Sequence, residues 1–510
     1  MWPGVEMSGI LHWFTPLPPA RNGIADYSAL LLNEMARKRD CVVYSDDAGA
    51  GLPPEIAVCD PAQAHRHLQP DSAILHQIGN NGGHVFVLKA LRAFSGVTSL
   101  HDLSLLYLYE LASGSLEEIL GRMTGPTGKM GQVYARHWKE QRIKTAANYV
   151  LFDTIGEVLA LSSRVIVHSE YARKKISAIH GSRARDKIDV IPHFAPKLKA
   201  EGHAAARKEL GISADELIIL TSGFATRAKR FDWLIEALDA LAQTGLAFRW
   251  IHAGEERVSE FDLSSEIARR PSLHGRCSVS GYVSEEMLDA YISAADIVVN
   301  LRFPSVGESS GTLARAFSAG RCCVVSDTAA YAEIPRDVVV HVPVFSTVAA
   351  LVRALEGLVK SADLRESFGE RASLFARTEL SIDSVAARYL ASVDEAGAAS
   401  RTKRPSRKKV QPVPSSVPML RRSEFQMSQP GSNDGLADFI NQKPGSFEAL
   451  LWFDGPDHFA RSVVEVPAFL RATVGPHVTV EGLHFVAHPD GGAFGLTVEG
   501  RSFAAAGGHR

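Results

Sequence analysis

The run LRFPSVGESSGTLARAFSAGRCCVVSDTAAYAEIP, residues 301–335, decides the fold of this chain. A short apolar run at 297–301 ends there, and a loop spans 304–310. Helical periodicity covers 312–319, and a second apolar run follows at 321–326. Strand, loop, helix and strand in that order predict a β-α-β unit, and such units build parallel sheets. Working outward, further buried strands are predicted at 72–77, 96–101, 164–168, 187–192, 217–222, 248–253 and 338–342. Helices are predicted between them at 25–38, 231–241, 284–294 and 348–361.

Nearly 400 residues of this alternation exceed one doubly wound domain. The pattern breaks at 195–206, a charged segment rich in Lys and Ala, so two domains are expected: 8–195 and 207–396. Between Arg401 and Arg422 there are eight basic residues and no acidic one, with Pro405, Pro412, Pro414 and Pro418 among them. This predicts a basic, Pro- and Ser-rich disordered linker over 397–435. The tail, 436–510, reads either as a small β-rich module or as a loose appendix, with strands predicted at 477–486 and 493–503.

The overall charge of −2, from 55 Lys+Arg and 57 Asp+Glu, therefore averages an acidic body and a basic linker. It argues against nucleic acid as a partner of the body. Cys41, Cys59, Cys277, Cys322 and Cys323 are odd in number and lack C-x-x-C spacing, so neither a disulfide framework nor a zinc site is expected. No apolar stretch approaches the ~18 residues of a membrane span. The start of the chain lacks the pattern of a signal peptide. A cytoplasmic protein is expected, and the linker leaves open a peripheral contact at the inner face of a membrane.

Four segments carry candidate chemistry. In the loop and helix start at 304–312, Ser309, Ser310 and Thr312 supply capping hydroxyls and Gly311 permits close approach. Free N–H groups there suit an anion, and the neighbouring Glu308 suits sugar hydroxyls. The run TSGFATRAKRFDWLIEAL, 221–238, ends a strand at Gly223 and sets Arg227, Lys229 and Arg230 before a helix, where cations suit a diphosphate. The run FTPLPPARNGIADYSALL, 14–31, turns at Asn22 and Gly23 into a helix bearing Asp26, and it is neither a G-x-G-x-x-G nor a Walker loop. LHQIGNNGGH, 75–84, and LHDLSL, 100–105, place His76, Asn80, Asn81, His101 and Asp102 near strand ends, and His193 in VIPHF belongs with them. Each feature alone also reads as an ordinary cap, turn or core histidine.

Taken in order, these segments resemble glycosyltransferase family four, over roughly residues 11–390. The resemblance implies an α/β, GT-B architecture: two doubly wound, Rossmann-like domains facing a cleft. The first would hold the acceptor and the second a nucleotide diphosphate sugar as co-substrate. It implies a retaining hexosyltransferase of polysaccharide biosynthesis, without cofactor or metal, acting on a glycan or lipid-linked acceptor. Lys229 resembles the lysine that stabilises the leaving phosphates, with Gly23 and Gly223 beside them. His101 and Asp102 resemble the His-Asp pair near the transferred sugar. Glu308 and the run Ser309, Ser310, Gly311, Thr312 resemble the loop that grips the donor. His76, Asn80 and Asn81 fall on the acceptor side. Two departures stand out: Arg315 occupies the place of the usual second glutamate, and Phe224 follows Gly223 where Gly-Arg is usual, leaving Arg227 or Arg230 as substitutes. A guanidinium has only donors, so Arg315 cannot accept from a ribose hydroxyl. The departures keep two alternatives open: a catalytically inactive GT-B-like binding protein, and a GT-B enzyme of other chemistry such as an epimerase.

Overall fold

Two all-parallel sheets and a small mixed one organise the chain. The computed structural model describes residues 9–20, 22–69, 71–113, 119, 154–198, 202–345, 347–402, 421–427, 434–441, 445–453, 478–487 and 494–502. The first sheet contains β1 (Leu11–Phe14), β2 (Cys41–Tyr44), β3 (Ala57–Cys59), β4 (Ala73–Ile78), β5 (Val97–Leu100), β6 (Arg164–Val167) and β7 (Ile188–Val190). Its order is β3-β2-β1-β4-β5-β6-β7, so the strand order reverses between β1 and β4. The second contains β8 (Ile218–Ser222), β9 (Arg249–Ala253), β10 (Cys277–Val279), β11 (Ile297–Asn300), β12 (Cys322–Ser326) and β13 (Val340–Val342). In the order β10-β9-β8-β11-β12-β13 the reversal lies between β8 and β11. Ligands of open parallel sheets bind where the order reverses, outside the carboxyl ends of the strands. This is the GT-B arrangement.

The central strands are buried on both faces, which is why they read as continuous apolar runs rather than alternating ones. Trp13, Val43, Leu75 and Ile166 pack on one face of the first sheet, and Phe14, Ile78, Leu100 and Val167 on the other. The helix Phe231–Gln243 shows how the flanking layer attaches: Phe231, Leu234, Ile235, Leu238 and Leu241 recur at helical spacing and are all buried.

The last helix of the body differs from the expected division at residue 396. Helix Ile382–Thr402 continues past that point and leaves the second domain for the first sheet. Val385, Ala386, Tyr389, Val393 and Ala396 bury one stripe of it against Leu11, Trp13, Leu75, Val97 and Ile166. Each larger side chain so buried stabilises the contact by about 1.5–3 kcal/mol. Lys38 pairs with Asp383 at 2.5 Å and Arg39 with Asp394 at 2.7 Å along its edge. The chain thus crosses between the domains twice.

The expected linker also contains structure at both ends. Thr402 ends that helix, and β14 occupies Arg421–Met427; residues 403–420 and 428–433 lie outside the described residues. In the tail β14, β15 (Gly445–Phe453), β16 (Val478–Ala487) and β17 (Phe494–Ser502) form a four-stranded sheet in the order β14-β15-β17-β16. Among the described residues no helix is long and apolar enough to cross a membrane.

Candidate functional site

Lys229 sits at the point where the second sheet reverses. It ends a short 3-10 turn, Arg227–Lys229, that follows β8, and its Nζ donates to the Ser222 carbonyl at 2.6 Å. Burial, then the charges of Arg302 and Arg257, lower its pKa to about 7. No carboxylate pairs with it among the described salt bridges, although the surrounding field is positive. A withdrawn ammonium held beside other cations is the arrangement an anionic ligand would complete. Gly223 makes room for it: φ is +75°, and a Cβ there would lie 2.6 Å from Nζ.

The two candidate substitutes for the usual arginine behave differently. Arg227 is exposed at the start of the same turn. Arg230 adopts a left-handed conformation, pairs with Asp232 at 2.5 Å and lies 3.8 Å over the Trp233 ring. Its guanidinium is therefore occupied by its own helix. Sequence reasoning missed Arg302, which the β11 end brings in across the reversal. The Phe303 N–H donates to the Ala228 carbonyl at 2.8 Å, tying the two loops together.

Glu308 is fully engaged by its own loop. One carboxylate oxygen accepts from Ser305 Oγ at 3.0 Å, Val306 N–H at 2.9 Å and Gly307 N–H at 3.1 Å. The other faces Arg302 Nε at 3.0 Å. The side chain expected to grip a sugar thus shapes the loop in this structure. Ser310 caps the helix Gly311–Ser318 by accepting from Leu313 N–H at 3.2 Å. Ser309, Gly311 and Thr312 are only partly exposed beside it, and a Cβ on Gly311 would lie 3.8 Å from His193 of the first domain. Arg315, in place of the expected glutamate, pairs with Asp289 at 2.5 Å and with Glu285. Its charge is balanced by the preceding helix Glu285–Ala294.

Across the cleft, His101 and Asp102 follow β5. His101 Nε2 lies 2.6 Å from Gln77 Oε1, and Nδ1 lies 3.2 Å from His168 Nε2. Both ring nitrogens are taken, so none is free to meet a sugar. Asp102 accepts from the Asn80 N–H at 2.7 Å; burial raises its pKa to about 6, with the charge of Glu308 adding to the rise. Asn80 also accepts from the Leu108 N–H at 2.9 Å. Asn81 caps a short 3-10 turn by accepting from Gly83 N–H at 3.0 Å. These asparagines hold backbone first. His76 stands apart from the site: it is wholly buried, stacks on Phe14 and contacts the Phe94 carbonyl at 2.9 Å. Its acceptor-side role is replaced by a core one, because β4 lies in mid-sheet with both faces covered.

Gly23 begins the helix Gly23–Ala36, capped by Asn22, which accepts from Ile24 and Ala25 N–H groups. A Cβ at Gly23 would meet nothing within 4 Å, so open space rather than a positive φ marks this turn. Asp26, in its first turn, has its pKa raised to about 6 by burial and by Glu285 across the cleft, against the pull of Arg315.

The two domains touch where these elements meet. The Glu170 N–H donates to Glu333 at 2.9 Å, and a cavity of about 240 Å³ opens between His168, Ser169 and His193 on one side and Glu308, Ser310 and Tyr331 on the other. Gly307, at φ +104°, packs so closely that a Cβ would lie 2.7 Å from Leu103 and 2.9 Å from the Tyr171 ring. Gly307→Ala should therefore push the Glu308 loop off the first domain. Alanine is strained at this φ as well, so the melting temperature is expected to fall below that of wild type, and an unchanged value would contradict this contact.

Comparisons with known proteins agree with the geometry. Residues 215–361 match the family model described as Glycosyl transferases group 1. Among solved structures, the chain is similar to a sucrose-phosphate synthase from Thermosynechococcus elongatus, at 17% identity and TM-score 0.53, covering 77% of this chain and 100% of that one. HepE from Anabaena, solved in complex with UDP, aligns at 15% identity and TM-score 0.51, covering 76% and 100%. A glycosyltransferase from Rickettsia africae aligns at 13% identity and TM-score 0.51, covering 76% and 98%. At these identities the likeness establishes the fold. No curated protein sequence matches the chain.

Proposed function

With residues 215–361 carrying a glycosyl transferases group 1 domain, we propose that this protein is a retaining, metal-independent glycosyltransferase. It would move a hexose from a nucleotide diphosphate sugar to a glycan or lipid-linked acceptor. The observation that carries this reading is Lys229, a deeply placed amine with lowered pKa at the strand-order reversal, facing no carboxylate partner among the described residues. A diphosphate supplies the missing counter-charge, and the ammonium stabilises charge that grows on the leaving group as the glycosidic bond breaks. The partly exposed helix start at Ser310–Thr312 adds N–H groups of the same sign. Closure of Glu308 and its loop onto Leu103 and Tyr171 excludes water during transfer. The acceptor hydroxyl would attack from the same face, its proton passing to the departing phosphate, so no dedicated side-chain base is needed. HepE's complex with UDP lends support to a nucleotide donor for this fold.

Incubation with UDP-, GDP- and ADP-linked hexoses, read by release of the free nucleoside diphosphate, tests the proposal. At least one donor should be consumed, and faster with acceptor. A protein that binds a nucleoside diphosphate but consumes none of the panel would instead be a GT-B-like binding protein. That second reading is favoured by one observation: both oxygens of Glu308 are already engaged.

A further inference from the structure

The hydrogen-bond directions around His101 can be worked out atom by atom. His168 Nδ1 lies 2.9 Å from the Ile191 carbonyl, which only accepts, so Nδ1 carries the proton. Burial lowers the His168 pKa to about 4, leaving the ring neutral and its Nε2 bare near pH 7. His101 Nδ1, 3.2 Å from that bare nitrogen, must then be the donor. A neutral His101 therefore has a bare Nε2, and its neighbour at 2.6 Å is Gln77 Oε1, which is also an acceptor. Meanwhile the buried Gln77 Nε2 has no hydrogen-bond partner among the described residues.

Two arrangements avoid opposed lone pairs. Either His101 is doubly protonated, or the Gln77 amide is turned so that Nε2 donates to the ring. The first puts a cation in a buried site, and burial together with His168, His193 and His84 holds the His101 pKa well below its ordinary value. The second satisfies the ring and the orphaned amide nitrogen together, and amide orientation is properly assigned from such networks. It also turns Oε1 toward Tyr389, whose hydroxyl interacts with Gln77 and lies 2.8 Å from Ser99 Oγ and 3.0 Å from Tyr27 Oη. Tyr389 is wholly buried on the helix that returns from the second domain.

We propose that Tyr389 is a positioning residue: its hydroxyl donates to Gln77 Oε1, Gln77 Nε2 donates to His101 Nε2, and His101 is thereby fixed as the Nδ1-protonated tautomer. The strand end of the first domain is thus completed by a side chain from beyond the second. The tautomer assignment does not depend on the glycosyltransferase reading; it stands on the hydrogen-bond geometry together with the burial that keeps both rings neutral.

Imidazole nitrogen-15 NMR of the full-length protein tests this, with His101→Asn identifying the His101 signals. Wild type at pH 7 should show protonated Nδ1 and bare Nε2. Tyr389→Phe should move His101 toward an averaged tautomer while His76 and His84 signals stay in place, which also shows that the fold persists. Gln77→Glu offers only acceptors and should place a proton on His101 Nε2, a second reading if the tyrosine variant unfolds. An Nε2-protonated or doubly protonated His101 in wild type would overturn the proposal, as would a tautomer indifferent to both variants.

Discussion

Replacing Lys229 by alanine should lower nucleotide-sugar turnover by about 10²- to 10³-fold, the usual loss when one preorganised donor to a developing charge is removed. Stability should move the other way or stay level. Wild type holds this ammonium where its pKa is about 7, against 10.5 for a free lysine. The unfolded chain therefore binds the proton more tightly than the native one, and native stability falls as pH drops from about 10 toward 7. Alanine removes that cost. Loss of turnover without loss of melting temperature is the signature of a group kept for its ligand, and a parallel loss of both would refute the role. A coupled measurement sharpens the test. At pH 8 the lysine is mostly neutral, so binding a nucleoside diphosphate should draw up to one proton from the buffer. Calorimetry in buffers of different ionisation enthalpy would count that proton, and the alanine variant should lack it.

Acidification from pH 7 to pH 5 should remove much of the folding free energy. Burial lowers the pKa of His76, His84 and His168 from 6.5 to about 4. Between those values the unfolded chain takes up protons that the native state refuses, so stability declines as pH falls through the window. At pH 5 the linkage is worth about 2 kcal/mol for each histidine. Three together come to about 6 kcal/mol, beyond the lower end of the 5–15 kcal/mol that typically holds a domain folded. Burial lowers the pKa of His12, His193 and His252 as well, so they act in the same direction. Asp26 and Asp102 oppose them: their pKa values are raised to about 6, and the native state gains from their protonation as pH falls. Two carboxyls offset only part of six histidines. Urea unfolding at pH 7, 6 and 5 should show midpoints that fall steadily, and a flat series would show that these rings are not neutral in the native state.

The fold was largely legible along the chain because a strand buried on both faces must be a continuous apolar run. The predicted strands at 217–222, 248–253, 297–301 and 321–326 correspond to β8, β9, β11 and β12. The early strands β1 and β2, LHWF and CVVY, were not among the strands read from the sequence. The returning helix, Ile382–Thr402, lies beyond the last helix read from the sequence, at 348–361. Its stripe of Val385, Tyr389 and Val393 has the same spacing whichever domain it covers.

For the site, sequence alone determined which chemistry is present and in what order: a basic turn after one strand, a hydroxyl-rich helix start after another, and a His-Asp pair after a third. That follows from local rules, since caps, turns and strand ends are set by neighbours in the chain. Tertiary structure alone decided which groups remain available. Glu308 is spent on its own loop and Arg302, His101 on Gln77 and His168, and His76 on the core, whereas Lys229 has no carboxylate partner among the described residues. The partners of His101 stand 24 and 67 positions away and meet it only once the chain is folded, and even the nearby partners of Glu308 reach it only through the turn of its loop.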